Sequence, residues 1–162
     1  MIPPDITALS HTLEEHFRHI HATQMQDVPL LNPLLQVEAV DFQTLPDNAG
    51  IIGVLITPWF MNLLWVADTA EAFVSGATRL LTLPSGEYSL NANHAASVGT
   101  FYSVSLFSPV LQFTDHAAAV LTAQQIMLCI MATPAPAVHN AAESLPAHRA
   151  VSRRDFLRGK FA

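Results

Sequence analysis

The sequence predicts an α+β domain: a mainly antiparallel sheet with an N-terminal and a C-terminal helix packed on one face. Three observations carry that expectation. Helical periodicity is confined to residues 3–26 and to a stretch from about 115 to 131. Between them, several strand-like runs follow one another with no helix intervening, an order that favours antiparallel pairing over strand–helix–strand units. Of the 162 residues, 51% are apolar and 12% charged, which suits one domain with a single core.

The elements follow in order. In "PPDITALSHTLEEHFRHIHATQMQ", Ile6, Leu9, Leu13, Phe17 and Ile20 recur every three or four residues, the period of one helical face. Asp5 is placed to cap this helix, and Glu14 and Glu15 are expected on its outer side. Asn32-Pro33 in "LLNPLL" breaks it. "LQVEAVDF" (35–42) is a short strand, "PDNAG" (46–50) a turn, and "IIGVLIT" (51–57) has the β-branched, apolar profile of a central strand. After Pro58, "WFMNLLWV" (59–66) reads as the next strand. "DTAEAFVSGA" is a loop or short helix. "RLLTL" and "EYSLN" flank "PSG" (84–86) as a hairpin. In "GTFYSVSLFSP" (99–109), Tyr102, Val104 and Leu106 alternate with Phe101, Ser103 and Ser105, a half-buried strand stopped by Pro109. Thr114 or Asp115 caps the last helix, in which Ala117 to Ala119 favour helix. Residues 1–132 are thus expected as the folded domain, 133–148 as a Pro/Ala-rich linker and 149–162 as a basic tail.

Charge is divided unevenly. Residues 1–148 hold twelve acids and two bases; residues 149–162 hold five bases and one acid. An acidic body makes nucleic acid a poor partner and attracts a cationic tail. The most apolar run, residues 51–67, carries Pro58 and Asn62 and is shorter than the roughly 20 residues of a spanning helix, so no membrane insertion is expected. There is no basic N-terminal region ahead of an apolar segment, and a cytosolic protein is expected. A single cysteine, Cys129, excludes an internal disulfide and a multi-cysteine metal site; its apolar surroundings suggest a buried small hydrophobe.

Searches for catalytic patterns come up empty: no Gly-rich phosphate loop, no G-x-S-x-G elbow and no H-E-x-x-H pair. Ser85 in "LPSGEY" has the neighbours of a hairpin turn rather than of a nucleophile. No two carboxylates are paired for acid–base work. The expectation is a protein that is not an enzyme and has no cofactor. His16 and His19 lie one helical turn apart, which suits either a His-rich solvated face or two ligands of a metal needing a third. The remaining signal is a set of aromatic and apolar residues beside prolines at strand ends: Trp59, Phe60 and Met61 in "TPWFMNL", and Leu106, Phe107 and Pro109 in "SLFSP". Any one could fill the core. As a set at strand ends they predict a recognition edge or groove, since aromatics and Met are enriched at interface centres.

Four segments, "GVLITPWFMNL" (53–63), "LPSGEY" (83–88), "SLFSPV" (105–110) and "SRRDFLRG" (152–159), occur in an order and spacing that resemble the HybE/HupJ (HoxT-like) family of [NiFe]-hydrogenase assembly chaperones. The resemblance runs from about Asn32 to the C-terminus. It implies a cytoplasmic maturation factor without catalytic activity. Its expected partners are the hydrogenase small subunit, which carries iron–sulfur clusters and a twin-arginine signal, and other hydrogenase accessory proteins. An iron or cluster-precursor carrier, or a scaffold joining maturation factors, is the alternative. Many relatives carry a cysteine where this chain has Val104, and the CxxC pairs of rubredoxin-fused relatives are missing, so no thiol-held metal transfers to this chain.

Ser152-Arg153-Arg154-Asp155-Phe156-Leu157-Arg158 has the form of a twin-arginine export signal at the wrong end of the chain. Two readings stand: a basic solubilising tail, or a copy of the client's address that occupies the chaperone's own signal-binding surface, or that of a neighbouring copy, until the client displaces it. In the second, Arg153 and Arg154 meet acids of the body while Phe156 and Leu157 enter an apolar slot.

Overall fold

The structure, a computed structural model, describes residues 5–69 and 72–134. The linker and tail expected from sequence, Arg153 and Arg154 included, lie almost wholly outside the described residues. Helix α1 spans Ile6–Gln24, and strands β1 (Glu38–Thr44), β2 (Ile51–Ile56), β3 (Met61–Val66), β4 (Thr78–Leu83), β5 (Gly86–Ala95) and β6 (Gly99–Phe107) precede helix α2 (His116–Met131). The strands form one antiparallel sheet in the order β1-β2-β3-β6-β5-β4.

Both helices begin where the sequence provides a cap. The Asp5 carboxylate accepts from the Ala8 N–H at 3.1 Å, and that of Asp115 from the Ala118 N–H at 2.6 Å, satisfying N–H groups that the first turn leaves without a helical partner. α1 ends at Gln24, well before Asn32-Pro33. Residues 68–69 and 72–74, where a short helix was one option, are non-helical.

The helices do not share a face. Leu13 and Phe17 of α1 pack with Leu55, Leu64 and Phe101 on one side of the sheet. Ala119, Ala123, Met127 and Ile130 of α2 pack with Ile52, Val54, Ile56, Leu63 and Tyr102 on the other. β2 explains the arrangement, because all six of its residues are buried and a strand apolar on both sides needs cover on both. Each fully buried Leu or Ile in these two clusters contributes roughly 1.5–3 kcal/mol by leaving water.

Glu14 also departs from expectation. It faces the sheet rather than solvent, accepting from the Ala39 N–H of edge strand β1 at 3.0 Å and from Arg18 Nη2 at 3.1 Å. One carboxylate therefore ties α1 to an edge N–H that would otherwise be open to another chain. β1 is further interrupted by a bulge between Val40 and Gln43, with Asp41 at φ 51°.

The β4–β5 hairpin turns through Pro84 and Ser85, with Leu83 opposite Gly86. Ser85 is engaged in the packing of the turn. Its N–H and Oγ both donate to the Ile130 carbonyl, at 3.3 and 2.7 Å, and its Oγ lies 2.6 Å from the Tyr88 hydroxyl. It satisfies a carbonyl of the last turn of α2 and pins that turn to the sheet.

Candidate functional site

The turn between β2 and β3 is built on Thr57, which is fully buried. Its Oγ1 donates to the Phe60 carbonyl at 3.1 Å and accepts from the N–H groups of Trp59 at 3.3 Å and Phe60 at 3.0 Å. One hydroxyl supplies one donor and two acceptor positions, so this buried group is complete. The Thr57 N–H also donates to the Phe60 carbonyl at 2.8 Å, closing the turn. Pro58 is thereby held at the tip of a rigid loop.

Asn32 joins that loop to two others. Its own N–H donates to the Pro58 carbonyl at 2.7 Å. Its buried side chain donates from Nδ2 to the carbonyls of Val110 at 3.0 Å and Phe113 at 2.9 Å, and accepts from the Leu34 N–H at 3.0 Å through Oδ1. One residue, through its side-chain amide and its own N–H, fixes the α1–β1 connection, the β2–β3 turn and the β6–α2 connection at one end of the sheet. The segments it joins carry Leu30, Leu34 and Leu111, all more than half exposed, and Pro109, also exposed. Apolar side chains held outward on a backbone fixed in this way make this end of the sheet the candidate docking surface.

The residues predicted from sequence meet at this same end but divide between the two sides of the sheet. Trp59 and Phe60, both half-buried, belong to the α1 side. Their rings lie 5.5 Å apart; Phe60 meets Phe17 edge-on at 5.6 Å, and Trp59 lies 5.8 Å from the His21 ring. Leu106 and Phe107 are half-buried on the α2 side, where Phe107 meets Phe113 edge-on at 5.3 Å. Met61 is fully buried and is core, so it makes no surface contact. The reason is register: Met61 lies opposite Ile56 and Phe107, with its side chain under α2.

His16 sits on α1 beside Phe17, and its pKa is lowered from the ordinary histidine value, first by partial burial and second by the neighbouring charge of His19. Among the described residues no three His, Cys, Asp or Glu side chains are grouped so as to hold a metal ion. No helix among them is long and apolar enough to cross a membrane.

Cys129, expected to be buried, is exposed. It lines an open groove of about 380 Å³ with Leu121, Thr122, Gln125, Ile126 and Ile130 along the outer side of α2. A second groove of about 290 Å³ lies between α2 and β1, lined by Asp41, Gln43, Met127, Leu128, Met131 and Ala132. Leu121 of the first groove and Leu128 of the second are 58% and 64% exposed.

A family model described as [NiFe]-hydrogenase assembly, chaperone, HybE matches residues 8–159. The chain belongs to the HybE family. It is 36% identical over 155 residues to the hydrogenase expression/formation protein HupJ of Bradyrhizobium diazoefficiens, covering 96% of this chain and 90% of that one. It is 35% identical over 161 residues to protein HoxT of Cupriavidus necator, covering 91% and 87%. The fold resembles the solution structure of HybE from Escherichia coli, with a TM-score of 0.62 at 21% identity over 78% of each chain. The motifs that suggested this family from sequence have separate places in the HybE-family fold. "ITPWFMNL" and "SLFSPV" supply the β2–β3 turn and the end of β6, which meet at the Asn32 junction. "LPSGEY" is the hairpin that holds the end of α2.

Asn32 and Thr57 were missed as organising residues, as were Leu34 and Leu111 as surface. The one available signal was a polar Asn inside the apolar run "LLNPLL", which reads equally well as a helix breaker.

Proposed function

We propose that this HybE-family chaperone holds the immature small, iron–sulfur subunit of a [NiFe] hydrogenase in the cytoplasm, with its twin-arginine signal still attached, until assembly permits export. The observation that carries this reading is the apolar end of the sheet. Leu30, Leu34, Leu111 and Pro109 are held outward on two of the three segments locked through Asn32, beside the partly exposed rings of Trp59, Phe60 and Phe107. A preformed apolar surface grips an incompletely assembled polypeptide without first ordering itself, which removes part of the entropic cost of binding. The names of the relatives, hydrogenase expression or formation proteins, support a hydrogenase subunit as the client.

The test is a pull-down of the small-subunit precursor, with and without its signal, by the wild-type chain and by the double variant Leu34→Asp/Leu111→Asp. Both leucines are exposed, so circular dichroism should be unchanged. Binding should weaken about tenfold or more, the equivalent of ~1.4 kcal/mol. Undiminished capture of the precursor by the variant sinks the assignment of this surface. Equal capture with and without the signal sinks the signal-holding part and leaves a scaffold.

A further inference from the structure

The outer side of α2 is apolar where a solvated helix would be polar. Leu121 and Leu128 are exposed, Leu121, Ile126 and Cys129 line one groove, and Thr122 and Gln125 are the polar residues of that groove. A helix that is apolar on nearly all sides is ordinarily covered on all sides. In this chain the described residues cover only the side facing the sheet.

The chain itself holds a segment that fits. Residues 149–162 carry five bases and one acid, against a body of opposite sign, and contain the adjacent apolar pair Phe156-Leu157. Twenty residues, 132–151, separate the end of α2 from Ser152. A connection of that length has a coil span of roughly 25 Å, about the length of a 16-residue helix at ~1.5 Å per residue. The receiving surface supplies both chemistries. One groove is almost wholly apolar, and the other, lined by Leu128 of the same helix, presents the exposed carboxylate of Asp41. The bulge in β1 puts that carboxylate there, since Asp41 is the residue at positive φ.

We infer that residues 152–158 dock on the outer side of α2, Phe156 and Leu157 in the groove lined by Leu121, Ile126 and Cys129, and an arginine of the pair Arg153-Arg154 against Asp41. The occupant is this chain's own tail. Tethering raises its effective concentration, so a weak contact suffices. Because the segment has the S-R-R-x-F-L form of an export signal, a client signal of that form competes for the same groove. The docking stands without the hydrogenase reading; the competition rests on it.

The only cysteine of the chain lies in the groove, which makes the test direct. A nitroxide label on Cys129 of the full-length protein should broaden the amide resonances of residues 153–158, and reduction of the label should restore them. Unbroadened resonances overturn the docking and leave the chaperone reading untouched. Because the label itself could obstruct the groove, the unlabelled chain carrying Leu128→Glu provides the second measurement. Its resonances from 153–158 should move toward those of a free peptide of residues 149–162, and unchanged positions also overturn the docking. Broadening that appears only when labelled and isotope-enriched chains are mixed overturns the intramolecular form. Addition of a synthetic S-R-R-x-F-L signal peptide should displace the tail and sharpen the signals; no displacement overturns the competition.

Discussion

Asn32 concentrates more of the site's geometry than any of the aromatic residues around it. Its side chain makes three hydrogen bonds to backbone groups of two segments, and its N–H reaches a third segment. The two bonds to carbonyls require an amide that donates, since a carboxylate only accepts. Asn32→Ala leaves those carbonyls and the Leu34 N–H unpaired and should cost about 3 kcal/mol. Asn32→Asp, nearly isosteric, should cost at least as much, because it turns a charged oxygen toward two carbonyls. Urea unfolding of the three proteins checks this; an Asp variant as stable as wild type would show that the junction does not depend on donation. Thr57 follows the same logic on a smaller scale, one hydroxyl closing one turn.

Among the elements, β1 has the most specific fit. Its bulge turns Phe42 onto Gly53 of β2, so closely that a Cβ at that glycine would stand 2.2 Å from the ring. The glycine is needed for the approach, not for its dihedral freedom. Gly53→Ala forces the ring and the bulge apart and should destabilise the protein by roughly 1–3 kcal/mol, the range for overpacking a well-filled site. Thermal or urea denaturation measures this directly, and a neutral result would mean that Phe42 has room to turn away. The same bulge presents Asp41 beside α2, in the groove lined by Met127 and Leu128. α2 itself is fixed at its start by the Asp115 cap and by His116, which accepts from the Gln36 N–H through Nδ1 at 3.2 Å and bonds Glu38 at 2.5 Å. Its end is held by Ser85.

In the whole molecule, two apolar clusters sit on opposite sides of one sheet and share β2 and β3. Neither can be lost without stripping those strands of cover on one side, so the described domain should unfold as a unit. The two tryptophans test this, because Trp59 lies on the α1 side and Trp65 on the α2 side. In single-tryptophan variants, Trp59→Phe and Trp65→Phe, the fluorescence transitions should coincide with each other and with loss of helical dichroism. Separate transitions would mean that the two layers unfold independently. The three-layer arrangement also leaves the end of the sheet and the outer side of α2 as two distinct apolar surfaces.

The Asp5 cap, a second cap at Thr114 or Asp115, the succession of strands between two helices, the "PSG" hairpin and the family itself were legible in the residues, because each rests on local chemistry or on a contiguous motif. "IIGVLI" also announced a central strand, but a run of apolar residues does not say which helix covers which side. What placed α1 and α2 on opposite faces, buried Met61 while leaving Leu34 and Leu111 in solvent, and exposed Cys129 was packing between segments far apart in the chain. Periodicity records that a residue has an apolar side to share. Only the meeting of distant segments, through an amide such as Asn32 reaching 78 residues along the chain, decides which of those sides is left for another molecule.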